Sequence, residues 1–157
     1  MITQHRYLIA LFCSFLLIPK LFCQNSDTVI GFWLTTDENT NEPKSQIHIY
    51  KESNGTYSGK IVWLQKPLKN NLPLHDEHNT NEELRSKLII GLTILEGFQF
   101  TDEQWEDGTI YDPQSGKTYR CKMWFENDNV KTLYVRGFIG IALLGRSTQW
   151  SREERKR

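Results

Sequence analysis

From Gly31 onward, apolar and polar residues alternate in short runs. In Ser45–Tyr50, Ile47 and Ile49 share one side and Gln46 and His48 the other. Tyr57, Ile61 and Trp63 fall together opposite Ser58 and Lys60, and Leu133 and Val135 oppose Thr132 and Arg136. Tyr119, Cys121, Met123 and Phe125 oppose Thr118, Arg120 and Lys122. Successive side chains of a strand point to opposite faces, so each run reads as a strand with one face on a core and one in water. Runs near 29–36, 45–52, 56–64, 88–95, 105–111, 117–125, 131–138 and 143–150 predict about eight strands, the spacing of an all-β sandwich or barrel.

The residues between runs are turn formers. Asn54-Gly55 suits a tight hairpin turn, Asn127-Asp128-Asn129 does similar work, and Asp112-Pro113-Gln114-Ser115-Gly116 fits a short loop. In that loop proline sets φ, Asp112 bonds forward to backbone N–H groups, and Gly116 takes the strained position. With hairpins nearly throughout, an antiparallel up-and-down barrel is the economical topology, and closure removes exposed edges. One segment breaks the pattern. Leu68–Lys87 is rich in Asn, Pro and charge, and Thr80-Asn81-Glu82-Glu83 has capping-box spacing for a short helical turn ending near Arg85. Loops this long are often functional, so a binding edge or lid is expected here.

Residues 1–23 read as a signal peptide: His5 and Arg6, an apolar run from Tyr7 to Ile18, then Pro19, too short for a comfortable membrane span. Cleavage after Cys23 would leave a single domain, 24–157, that is secreted or periplasmic. A lipid anchor on Cys23 is the rival reading, and Lys20, Leu21 and Phe22 stand where such a signal needs small residues. The chain of 157 residues carries 19 basic and 19 acidic side chains; without Arg6 and Lys20 the domain turns slightly acidic. That offers nucleic acid no basic face. Cys121 is left alone in the domain, so no intrachain disulfide is available and packing must hold the fold.

Candidate chemistry is thin. His75-Asp76-Glu77-His78 could meet a metal if it curled, but a third ligand would have to come from elsewhere, and no metal site is assigned. No nucleophile elbow, phosphate loop or other cofactor motif appears, and Cys121 alternates with core positions. Glu96, Asp107 and Asp112 are the carboxylates that could pair in a hydrolase. No catalytic residue is assigned. Arg136, in a strand beside Gly137, is either an anchor for a ligand carboxylate or a structural bridge to Asp112 or Glu96; alternation points it outward and favours the bridge. Trp124 shares a face with Arg120 and Lys122, where it could grip a sugar ring or a protein.

Several of these residues line up in an order and spacing that resemble a known family. They are Gly31-Phe32-Trp33, Ser58-Gly59-Lys60-Ile61-Val62, Asp76 with Asn79, Arg85 and Gly91-Leu92. Then come Gly108-Thr109-Ile110-Tyr111-Asp112-Pro113 with Gly116 and Tyr119, Leu133 with Val135-Arg136-Gly137-Phe138-Ile139-Gly140, Leu144-Gly145-Arg146, and Trp150. Together they resemble the bacterial secreted family called domain of unknown function 2147. The resemblance implies a lipocalin-like, calycin-type barrel in which Trp33 plugs one end under a late basic side chain. Arg146 and Arg152 are the candidates, Arg146 the better placed in the motif. It implies no activity.

A barrel of about eight strands either is filled by side chains or holds one small ligand. The expected function is non-catalytic binding of a small apolar or amphipathic molecule inside the barrel, lined by Ile47, Ile61, Trp63, Tyr119, Met123, Phe125 and Val135. The alternative is a solid barrel acting on a protein through loop 68–87, Trp124 and the C-terminal Ser151–Arg157, a tail otherwise read as a solvated end.

Overall fold

The computed structural model describes residues 25–127 and 129–157. The signal-peptide reading of 1–23 lies outside them, as does Asp128 of the 127–129 turn. After a short 3-10 turn, Ser26–Val29, come β1 (Gly31–Thr36), β2 (Pro43–Lys51), β3 (Tyr57–Leu64), a small hairpin of β4 (Leu68–Lys69) and β5 (Leu72–Pro73), and a second 3-10 turn, Glu82–Leu84. β6 (Thr93–Thr101), β7 (Gln104–Asp112), β8 (Lys117–Phe125), β9 (Thr132–Phe138) and β10 (Gly145–Glu153) complete the chain. The eight long strands close into an antiparallel barrel in the order β1-β10-β9-β8-β7-β6-β3-β2, as the alternation predicts.

Two strands sit elsewhere than predicted. The apolar run 88–95 supplies only the start of β6, which extends to Thr101; Gly91 at φ +95° turns the chain before it, and Leu88–Leu92 is spent on the preceding loop. β10 runs later than 143–150 because Ile139–Leu144 forms a projecting turn.

The barrel is packed solid along much of its axis. Trp33, Ile47, Ile49, Leu95, Phe98, Trp105, Met123 and Leu133 have no accessible surface, and a side chain with none has no water-sized void beside it. Glycines make the room. A Cβ on Gly108 would stand 2.4 Å from the Phe98 ring, and one on Gly59 2.9 Å from Leu95 Cδ1. Phe98 and Leu95 thus fill the volume that larger residues on β7 and β3 would take. Below them Trp105 meets Phe125 edge-on at 5.4 Å and Phe100 at 4.9 Å, and Phe125 packs on Trp33 at 5.8 Å.

The N-terminal turn seals this end. Trp33 Nε1 donates to Val29 O at 2.8 Å and Trp105 Nε1 to Ser26 O at 3.0 Å, so both buried indoles are satisfied by one segment. The cation over Trp33 is Arg152, its guanidinium carbon 4.2 Å from the ring centre, rather than Arg146. Register explains the difference: β10 pairs Arg152 with Trp33, whereas Arg146 starts β10 at the opposite end and pairs with Glu38. Arg152 also donates to the carbonyls of Thr28, Ile30 and Val130.

Trp63 is a second correction. A bulge between Ile61 and Trp63 puts Trp63 across from Gln46, on the outer wall, where Arg157 covers it at 5.0 Å. The tail, exposed as expected of a solvated end, is nonetheless tied to the barrel wall. Arg157 N donates to Gln46 Oε1 at 3.1 Å, and Gln46 Nε2 donates to Arg155 O at 3.0 Å.

Arg152→Ala should cost about 1–3 kcal/mol, losing the ring contact and orphaning carbonyls. Arg146→Ala should stay within about 0.5 kcal/mol, as exposed pairs do. Urea denaturation of the two variants checks the ranking; equal losses would contradict the assignment.

Candidate functional site

The segment between β3 and β6 does not hang free. It forms a strap folded against the outside of β7 and β8. Its two limbs are laced together: Asp76 N donates to Lys87 O at 2.9 Å and Ile89 N to Leu74 O at 3.0 Å, and His75 bridges Leu88. Gly91 N and Leu92 O then bond Ile61 of β3, at 2.7 and 3.0 Å. The predicted capping turn is present, Asn81 accepting from Glu83 N. Arg85 closes it, donating through Nε to Asn79 O at 2.8 Å.

Asp76 fastens the strap to the barrel. It is fully buried and both carboxyl oxygens are used: Tyr111 Oη donates to Oδ1 at 2.7 Å and Asn79 Nδ2 to Oδ2 at 2.7 Å. Burial, then the carboxyl partner, push the Tyr111 phenol up to about 12, so it remains a donor across the physiological range. Beside it, the Asp112–Gly116 loop turns the chain as its residues suggest. Asp112 accepts from Gln114 N at 3.0 Å and from Ser115 Oγ at 2.6 Å, and Gly116 takes φ +68°. Gly116 has a second reason to be glycine, since a Cβ there would lie 1.8 Å from His78 O. The turn is a seat for the strap.

Strap and wall border a half-open cleft of about 570 Å3. Leu84, Leu88, Ile90, Leu92 and Ile94 give it an apolar side; Lys87, Asn79, Glu96, Thr109, Tyr111 and Thr118 bring polar groups. Glu96 pairs with Thr109, and Tyr111 with Thr118, on the face opposite the one that carries Leu95 and Ile110 into the core. The cleft therefore lies outside the barrel. Its size is in the range of small-molecule sites, which combine apolar walls with a few polar groups.

Of the positions expected to line an internal cavity, Ile47, Ile61, Met123, Phe125 and Val135 sit in the packed core, none more than 7% exposed. Tyr119 is half-buried towards the open end, and Trp63 is outside. They line no common space. The other candidates disperse as well. Burial pushes the Cys121 thiol up to about 12, the state of an inert core residue. Glu96 faces the cleft, Asp107 lies 3.8 Å from Arg120 on a bulge, and Asp112 is engaged in its turn. Among the described residues no group of three or more His, Cys, Asp and Glu could hold a metal. Trp124 stacks on Tyr134 at 5.6 Å, which occupies a ring face. Arg136 points outward but contacts neither Asp112 nor Glu96; it donates to Ala142 O, Leu143 O and Ser147 Oγ.

The profile of the family described as an uncharacterized protein conserved in bacteria, DUF2147, matches residues 31–152. The chain belongs to this family. Among solved structures, a protein of the human pathogen Helicobacter pylori, described as belonging to the lipocalin family, superposes with a TM-score of 0.66. It is 19% identical, over 80% of this chain and 83% of that one, which supports a shared lipocalin-like fold. None of the curated proteins matches the chain. In this DUF2147 chain, the motif residues Asp76, Asn79, Arg85 and Gly116, with Tyr111 of the barrel wall, are those that seat the strap.

Tyr111→Phe leaves Asp76 buried with one partner fewer and should cost about 1–3 kcal/mol. Hydrogen exchange should quicken in 74–92 before the barrel strands respond. The neutral phenol is the form the fold prefers, so its contribution is complete below the ordinary tyrosine pKa near 10 and is lost as pH rises through about 12. Ultraviolet titration should lose a late-ionising tyrosine in Tyr111→Phe, while Tyr134, whose phenol is also raised by its bond to Glu126, stays.

Proposed function

We propose that the protein is a non-catalytic binding protein of the bacterial cell envelope, and that its ligand is a small amphipathic molecule held in the cleft under the strap. The observation that carries this is the pairing of a filled barrel core with a cleft of about 570 Å3 lined by both apolar and polar side chains, most of the apolar ones from the strap. An apolar tail would lie along Leu88, Ile90 and Leu92. A polar head would meet Glu96, Thr109 and Thr118, with Lys87 above. Export, read from residues 1–23, is part of the proposal and accounts for the envelope as the place of action.

Native mass spectrometry, before and after organic extraction, tests it on protein purified without detergent. A discrete extractable mass is expected on the wild type. Ile90→Glu, a change at a half-exposed position on the strap, should lower its retention about tenfold or more, since one charge set against an apolar surface costs at least the ~1.4 kcal/mol that tenfold represents. Lys122→Ala, on the wall away from the cleft, should leave retention unchanged. Retention equal in wild type and Ile90→Glu would reject the cleft as the site.

A further inference from the structure

The open end of the barrel carries a second feature. Between β9 and β10 the chain projects as a turn whose Ile139, Ile141, Leu143 and Leu144 are 62–81% exposed. Four large aliphatic side chains this exposed within six residues are too many for an ordinary surface turn. None of its residues lines the cleft under the strap.

It is also rigidly braced. The Arg136 side chain reaches up from β9, Nε donating to Ala142 O at 2.7 Å and Nη2 to Leu143 O at 3.1 Å, while Nη1 donates to Ser147 Oγ at 2.8 Å. Ile139 N donates to Leu144 O and Leu144 N to Ile141 O. Carbonyls that would resist leaving water thus have internal partners, which lowers the cost of bringing the turn against hydrocarbon. The amides of residues 140–143 donate to nothing among the described residues. They fit headgroup depth, where phosphodiester oxygens accept hydrogen bonds. Charge agrees: among the described residues the Arg136 guanidinium has no carboxylate partner. Arg120, 61% exposed on the neighbouring strand and only loosely paired with Asp107 at 3.8 Å, lies 5.4 Å from the ring of Phe138 at the foot of the turn.

We infer that residues 138–145 form a bilayer-docking tip: the four aliphatic side chains enter the interface of a membrane with anionic headgroups, and the arginines below them meet phosphate.

Hydrogen exchange of the full chain, read in peptides covering 137–146, tests this without relying on bulk membrane association. With vesicles of phosphatidylglycerol and phosphatidylcholine, exchange in that segment should slow several-fold, and less with phosphatidylcholine alone. Leu143→Asn with Leu144→Asn should abolish the slowing. Val130→Asp, an apolar-to-acid change at the other end, should preserve it. Unchanged exchange with either vesicle, or equal slowing in the wild type and the double variant, overturns the inference. Slowing by a lipid-free envelope protein fraction, with none on vesicles, overturns it in favour of a protein partner.

Discussion

Phe98 lies over Gly108 so closely that no other residue at 108 could keep the ring in place, and Leu95 lies over Gly59 in the same way. These two contacts decide what kind of barrel this is. Eight strands enclose room for one layer of large side chains or for one small ligand. Once Phe98, Leu95, Trp105 and Met123 occupy the axis, that stretch of the interior is filled by side chains.

The filled core also explains why the ends differ. At one end the indoles of Trp33 and Trp105 need hydrogen-bond acceptors, and the Ser26–Val29 turn supplies both. Arg152 then caps Trp33 and ties three carbonyls, so that end is closed. The other end carries the long connections. There the chain uses single charged residues as braces: Asp76 under the strap and Arg136 under the 138–145 turn, each satisfied by neighbours rather than by an opposite charge. Both braces hold apolar side chains in view of solvent, which a fold seeking only stability would not do.

Much of the fold was legible in the sequence, because period-two alternation survives wherever a strand is regular. It placed Ile47, Met123 and Val135 inward correctly. It failed where one residue is inserted: the bulge near Val62 turned Trp63 outward, and no propensity marks that position. The run Leu88–Leu95 misled for a different reason. Apolar residues that cover a cleft and apolar residues of a strand read alike over so short a stretch, and the glycine at 91 was the available sign of a turn. The site itself was half legible. Asp76, Asn79, Tyr111 and Gly116 stood out as motif residues, but their joint purpose depends on contacts 35 residues apart, between Asp76 and Tyr111, which a linear pattern does not encode. Choosing Arg152 over Arg146 likewise required the pairing register of β1 with β10.

The central claim is that the barrel is filled where Trp33, Leu95, Phe98, Trp105 and Met123 meet, which is why the proposed ligand is placed in the outer cleft. A crystal structure under xenon pressure tests this directly, because xenon enters apolar cavities of ligand size and leaves close-packed cores empty. The account predicts no xenon within the ring formed by Trp33, Leu95, Phe98, Trp105 and Met123. Xenon ordered among those side chains would contradict it and return the ligand to the interior.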